Sequence, residues 1–408
     1  MKGLSVLKKH LLLFSLIFFA GITSVAMADE LAELLSPEKR DLFKYQESYN
    51  DLQSDKLKKS WVNPVRLQYR KNYTTQFRER TVDTTNYSVV VDQPIFKSGG
   101  IFYSIKYADA LRGATAAEIK LRKREMIGMV VRILFEFKKI RLQQQKMGLL
   151  IKNDEIDIKL KSDSFEAGIL DSSFLDQAII KRNGDETESL ALELQLEKLK
   201  NDFAFLSDKN PDKLPLPMLK LISEKEYKSE HLVLRSDTLH AREKQYLSKM
   251  TWSQYLPEVS VQGQYIKGDL NPLFANPSLR DEYTNYSVTV SMPLNINSLT
   301  DVEAAQIAYM EAATQVIDQE KRVDLEYKTI LNNLRIINKK IALDHKDEKL
   351  YERLYLVIKN LEAAGEKTSY ETKLMHNSLE TKKLDQQIHK IDKQLQLLSL
   401  YIKVSDVF

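Results

Sequence analysis

Thr85-Asn86-Tyr87-Ser88-Val89 returns unchanged as Thr284-Asn285-Tyr286-Ser287-Val288, 199 residues further along a chain of 408, and Pro94 returns as Pro293. Each copy reads as a short strand opening a very long helix. The elements beyond recur at nearly the same offset, down to a glycine at 168 and again at 365. A strand-and-helix unit has been written twice, and a duplication of this size narrows the architecture to a few elongated plans.

Four segments alternate with period two, the pattern of strands whose faces meet different surroundings. In the first, Val65, Leu67 and Tyr69 oppose Arg66, Gln68 and Arg70. In the second, Tyr87, Val89 and Val91 oppose Ser88 and Asp92, with Val90 interrupting the polar side. The third sets Val259, Val261 and Tyr265 against Ser260, Gln262 and Gln264, and the fourth sets Tyr286, Val288, Val290 and Met292 against Ser287, Thr289 and Ser291. Each is close to the roughly 9 to 11 residues of a tilted membrane strand. A soluble two-faced sheet alternates in the same way, but it needs an apolar cover, and the long helices of this chain are too polar to supply one. In a bilayer an open sheet edge leaves backbone groups unpaired at several kcal/mol each, so spanning strands must close into a barrel. Four strands are too few, since membrane barrels begin at about eight. The chain is therefore expected to oligomerise.

The ten prolines fall at 37, 64, 94, 211, 215, 217, 257, 272, 277 and 293, which leaves residues 95–210 and 294–408 free to stay helical. Residues 101–164 and 298–360 each read as one helix of roughly 90 Å at 1.5 Å per residue. Both open with small residues, Ala108, Ala110, Gly113, Ala114, Ala116 and Ala117 in one, Ala304, Ala305, Ala308, Ala312 and Ala313 in the other. Further on, Ile127, Val130, Val131, Leu134 and Phe135 form a narrow apolar stripe that seats a helix beside others in a single layer. Each long helix is expected to end at a left-handed glycine, Gly168 or Gly365. Returning helices follow over about 171–206 and 368–402, the second opened by the capping box Thr368 and Glu371. Shorter helices over about 37–60 and 230–255 precede Asn63-Pro64 and Leu256-Pro257, and a proline-bearing link covers 210–217.

Lys2, Lys8 and Lys9, the apolar run 11–20 and Ala26-Met27-Ala28 ahead of Asp29 have the layout of a cleaved secretory leader, residues 1–28. The chain has no cysteine, so neither disulfides nor a lipidated N-terminus are expected. Loss of the three leader lysines takes the formal net charge from +4 to +1, which argues against a nucleic-acid surface. Charged residues make up 29% of the chain, a composition suited to an elongated protein rather than a large compact core.

Strand, strand, long helix, glycine turn and returning helix, given twice behind a leader, resembles the TolC family of outer-membrane efflux and secretion channels. The residues carrying the resemblance are 87–96 with Lys97-Ser98-Gly99-Gly100, 165–175, Tyr246-Leu247 with Tyr255-Leu256-Pro257-Glu258-Val259, 286–295 and 361–371. It divides the chain into the leader, a first repeat over 29–207, a linker over 208–229 and a second repeat over 230–408. It implies a mainly α fold with membrane β-strands: a homotrimer whose chains each give four strands to one twelve-stranded barrel, continued by a long α-helical barrel through the periplasm. It also implies a periplasmic adaptor and, through it, an inner-membrane pump or an ABC transporter of type I secretion, with outer-membrane lipid around the barrel. The barrel lumen is then expected at Arg66, Gln68, Arg70, Ser88, Asp92, Ser260, Gln262, Gln264, Ser287, Thr289 and Ser291.

The family usually places a small hydroxyl residue three positions after the turn glycine and an acid near the sixth. Thr368 and Glu371 keep this, whereas the first turn has Asp171, Phe174 and then Asp176, which reads as one inserted residue. Three copies would gather Glu371, with Asp171 or Asp176, into a carboxylate ring at the periplasmic entrance; the alternative is that Glu371 is a helix cap alone. Gly168, Ser172, Gly365, Thr368 and Ser369 are the expected adaptor-contact positions, though small residues also simply make turns. No catalytic, cofactor or metal constellation emerges: His231, His240, His345, His376 and His389 sit in charged helical surroundings without ligand spacing. The rival readings are a periplasmic adaptor, which would have one hairpin beside lipoyl-like strands, and a trimeric adhesin or structural rod, which would not need paired strand hairpins.

Overall fold

The computed structural model describes residues 31–77, 80–269 and 278–404; the expected leader lies outside the described residues. The elements run α1 (Pro37–Lys58), β1 (Arg66–Phe77), β2 (Arg80–Phe96), α2 (Gly100–Glu166), α3 (Ser172–Leu206), α4 (Glu224–Ser229), α5 (Leu232–Ser253), β3 (Glu258–Gly268), β4 (Glu282–Ser291), α6 (Ser298–Ala363) and α7 (Ser369–Tyr401). The two proline-free tracts are thus continuous helices of 67 and 66 residues, each followed by its returning helix.

Two compact units form, and each draws on both halves of the sequence: residues 45–119 with 233–320, and residues up to 44 with 120–232 and 321–408. The first unit contains the sheet, fully antiparallel in the order β1-β2-β3-β4. Its strands reach the helices through sharp turns. Ser98 and Gly99 take positive φ, 47° and 88°, and the Ser98 hydroxyl donates to the Pro257 carbonyl at 2.6 Å. Gly100 opens α2 where a side chain would press on Ser253, 2.8 Å from its hydroxyl oxygen. The glycine pair is therefore a strand-to-helix corner, as its place after a strand suggests.

In the same unit the start of α2 lies between α1 and α5. Asn50 donates to the Arg112 carbonyl at 3.0 Å and Ser54 to that of Ala108 at 3.3 Å, contacts that need small neighbours. Ala108, Ala110, Ala114 and Ala117 are buried accordingly. On the other side His240 meets Glu118 at 2.7 Å, and α5 reaches α6 through Ser248 and Gln306 at 3.2 Å. The matching alanines of α6 differ: Ala304 is exposed and Ala305, Ala308, Ala312 and Ala313 are only half-buried, because α6 lies at an edge of this unit in the single chain.

The second unit is a layer of helices in the order α3, α2, α7, α6. Polar rungs fix the register: Lys139 to Asp392 and Lys146 to Asp385, both 2.7 Å, and Asn377 to Asn153 at 2.9 Å tie α7 to α2. Asp344 to His389 at 2.6 Å and Asn333 to Gln396 at 3.2 Å tie α7 to α6, while Lys181 pairs α3 with Asp154 of α2. The core is the expected stripe, with Val130, Val131, Leu134 and Phe135 essentially inaccessible, joined by Phe137, Phe203 and Leu398. Each contributes roughly 1.5–3 kcal/mol by leaving water.

The segment between the repeats is more ordered than a proline link. A turn over 210–213 leads into residues 214–223, which form neither helix nor strand and bury Leu219 and Ile222, and the sequence reading missed α4, capped by Ser223 and anchored by the fully buried Tyr227. Residues 403–404 close over this region: the Leu232 amide donates to the Lys403 carbonyl at 2.8 Å, and His231 bridges Val404.

Candidate functional site

The strand register places all eleven expected lumen residues on one face of the sheet. Asp92, Gln262 and Ser287 occupy one row, Gln68 faces Ser88, Ser260 faces Thr289, and Ser291 faces Glu258. Arg66 shares a row with Val90 and Gln264, and Arg70 faces Asn86. Val90, which breaks the alternation in sequence, therefore lies on the polar face. At the end of the sheet beyond Arg70, a polar cavity of about 270 Å³ is lined by Arg70, Asn86, Gln264, Asp269, Arg280 and Asp281. Asn86 and the charges at 269, 280 and 281 escaped the sequence reading; Asn86 and Asn285 belong to the repeated motif itself and could have been found there.

The opposite face carries the tyrosines and valines. Tyr69 and Tyr87 pack as a tilted pair with ring centroids 5.1 Å apart, Val91 and Tyr286 flank Gly263, and Val261 faces Val288. Tyr286, Leu67 and Val288 are 80%, 78% and 70% exposed, so none of the described residues covers them. Toward one end this face turns ionic, with Lys71 to Asp83 and Lys267 to Glu282, both 3.0 Å. Among the described residues β1 and β4 are each paired on one side only.

At the far end of the helices the two turns are alike. Ile169 donates to the Ser164 carbonyl and Gly168 to that of Phe165, both 2.9 Å; Glu366 to Leu361 and Gly365 to Glu362 repeat these bonds at 2.9 Å. Both are double-bonded left-handed helix ends, with φ of 70° at Gly168 and 77° at Gly365. Three residues on, Asp171 and Thr368 are the caps of the returning helices. The spacing is the same in both turns, so the expected insertion in the first is not there. What differs is the position three residues inside the helix, where Phe174 stands in place of Glu371.

Glu371 closes a capping box. Its carboxylate accepts from the Thr368 amide at 2.9 Å and from Lys367 at 2.6 Å. The Lys367 hydrogen bond, then that of the Thr368 amide, holds this carboxyl below the usual carboxylate range. Asp171 accepts from the Ser173 amide at 2.8 Å, which lowers its pKa likewise. Asp176 is exposed in the second turn of α3, and Gly168, Ser172, Gly365, Thr368 and Ser369 are all exposed. Among the described residues no group of three or more His, Cys, Asp or Glu could hold a metal, and no helix is long and apolar enough to cross a membrane.

No protein-family model matches the sequence, and no curated protein matches it. Solved structures do. The outer membrane protein VceC of Vibrio cholerae superimposes with a TM-score of 0.73 over 93% of this chain and 97% of its own, at 14% identity. The CmeC outer membrane channel of Campylobacter jejuni gives 0.73 over 93% and 86%, at 12% identity. The open MtrE outer membrane channel of Neisseria gonorrhoeae gives 0.70 over 93% and 89%, at 11% identity. The fold is that of the TolC-like outer-membrane channels.

Proposed function

We propose that this chain is one third of a passive exit duct in the outer membrane, working as a homotrimer with a periplasmic adaptor and an energy-coupled inner-membrane pump or ABC transporter. The observation that carries this reading is the sheet: one polar face, one exposed apolar face, and two unpaired edges. Three copies joined β4 to β1 give twelve strands with the polar face inward around water and the tyrosines and valines toward lipid. The helices support the same closure. α6 exposes Ile336, Leu343, Leu350 and Val357 at seven-residue spacing, and α3 exposes Ile180, Leu190 and Leu194. These stripes lie on the two outermost helices of the layer, where a neighbouring copy would cover them.

Residues 1–28 would be removed on export. Three copies of Glu371, with Asp171 and Asp176, would give the periplasmic entrance a negative ring, and their lowered pKa values keep Glu371 and Asp171 ionised at neutral pH. The exposed turns at Gly168, Ser172, Gly365, Thr368 and Ser369 would receive the adaptor. The mass of the protein in mild detergent tests the assembly: a trimer is expected, and a monomer that still inserts into bilayers would refute the duct. Single-channel recording tests the ring, since Glu371→Gln should weaken cation preference, and an unchanged preference assigns Glu371 to capping alone.

A further inference from the structure

Beneath the segment that joins the repeats lies a trough of about 990 Å³ between that segment and helices α6 and α7. Its floor is apolar, formed by Leu331, Leu334, Ile391 and Leu397 with Phe135. Met218 and Leu221 stand at its margin, 80% and 53% exposed. The segment is fixed over it by its own backbone: Gln394 accepts from the Leu219 amide at 2.8 Å and donates to its carbonyl at 3.4 Å, and the Tyr401 hydroxyl accepts from the Lys220 amide at 3.1 Å.

The charge around this trough has one sign. Arg335 and Lys339 come from successive turns of α6, Lys390 and Lys393 from successive turns of α7, and Lys220 from the segment above; among the described residues no acidic one lines it. Three lysines elsewhere on α2 and α7 are matched by acids, Lys139 with Asp392, Lys146 with Asp385 and Lys382 with Asp347. Lys390 bonds Gln386, while Lys220, Arg335, Lys339 and Lys393 have no acidic partner among the described residues. Like charges one helical turn apart repel, and a second such pair across an apolar trough adds to the cost. An anion held among them removes it.

We infer that this trough binds an amphiphile with one long alkyl chain and an anionic head, the chain on the leucine floor and the head among Arg335, Lys339 and Lys393. Its volume lies within the roughly 300–1,000 Å³ of small-molecule sites, and an apolar bed with a few convergent polar groups is their usual composition. Arginine and lysine together donate charge-assisted hydrogen bonds to the oxygens of a carboxylate, phosphate or sulfate head. The inference stands on this unit alone and does not require the duct.

The test is photolabelling of the full-length protein in an uncharged maltoside detergent, with a diazirine-bearing long-chain carboxylic acid and the alcohol of the same chain. The acid should label residues 216–221 and the α7 segment around Ile391 about tenfold more than the alcohol, the ratio that about 1.4 kcal/mol of head-group recognition gives. Both probes should label the apolar face of the strands equally, which reports a folded protein. Arg335→Gln, Lys339→Gln and Lys393→Gln combined should abolish the preference while leaving strand labelling intact. Equal labelling by acid and alcohol at the trough, an unchanged preference in the triple variant, or labelling confined to the strands overturns the proposal. So does a crosslink from Met218 to a second copy, or displacement by an acidic amphipathic peptide with no acid labelling, because the trough would then be a protein interface.

Discussion

Gly168 and Gly365 end helices of 67 and 66 residues with the same left-handed backbone, φ 70° and 77°, and the same pair of 2.9 Å closing bonds. A Cβ at either glycine would meet nothing within 4 Å, so backbone strain alone opposes substitution. Gly365→Ala should therefore cost roughly 1–2 kcal/mol. Gly148 lies inside α2 with equally open surroundings, and Gly148→Ala should stabilise by roughly 0.5–1 kcal/mol. Thermal melts followed by helical circular dichroism should move in opposite directions for the two variants; a shared direction would contradict the conformational argument.

The second turn has a reciprocal cap and the first a single one. Thr368→Ala removes the hydroxyl acceptor for the Glu371 amide and should cost about 1 kcal/mol. The sign of the pH effect follows from the lowered pKa of Glu371: its stabilisation is complete above the ordinary value of 4.5 and is lost as pH falls through the lower folded value. Corrected for the intrinsic pH dependence of exchange, protection of the amides at the start of α7 should fall at acid pH in the native protein, and Glu371→Ala should lower it at neutral pH already.

Elements long enough for periodicity to accumulate were legible in the chain itself. Proline-free tracts located α2 and α6 within three residues, and alternation located the faces of all four strands, including the side on which Val90 would prove anomalous. The start of β2 was hidden because Val82 is the single apolar residue between Arg80 and Thr85, too few to show an alternation. The six-residue α4 is shorter than two helical turns, so its only signal was the Ser223 cap. The first glycine turn misled because Phe174 replaces the acid of the second, and composition was taken for spacing. The trough cations are scattered over three segments in sequence, and nothing short of packing could bring Lys220, Arg335 and Lys393 together.

His231 gives the helical unit an acid-sensitive point. Burial, then the charge of Lys403, against a smaller opposing effect of Glu326, pulls its ring from 6.5 down to about 4. The fold holds the neutral ring, so its stabilisation is full above pH 6.5 and is lost as pH falls to about 4. A shift of that size corresponds to at most about 3 kcal/mol. Melting temperatures of the native protein should drop across this window, and His231→Leu, which cannot titrate beside the Tyr227 ring 5.1 Å away, should flatten that part of the profile. An unchanged slope in the variant would place the acid sensitivity elsewhere.

Gly128 of α2 packs directly against Ile402, just beyond the end of α7. A Cβ there would overlap the side chain of Ile402, which cannot withdraw freely because Lys403 and Val404 are tied to Leu232 and His231. Gly128→Ala should cost roughly 1–3 kcal/mol by overpacking, despite alanine's better helix propensity. Ile402→Ala in the same chain should recover much of that loss. Additive losses in the double variant would show that the two positions do not meet.

The sheet offers the sharpest contrast, because Ser287 and Val288 are neighbours on β4 that face opposite ways. If the apolar face meets lipid, an arginine at Val288 must be carried into hydrocarbon at roughly 2–4 kcal/mol per chain near the midplane, falling toward the interfaces. On the same premise an arginine at Ser287 would meet the water of the lumen, in the row of Gln262 and Asp92. Val288→Arg should therefore reduce the folded, membrane-inserted oligomer recovered from the outer membrane, while Ser287→Arg should insert normally and shift the ion preference of the channel toward anions. Inverted behaviour would mean that the sheet closes with its tyrosines and valines inward, and equal tolerance at both positions would mean that it does not lie in a bilayer. A soluble sheet with a missing partner would instead lose solubility in neither variant and gain it at Val288, so a rise in soluble protein there would count directly against the membrane reading.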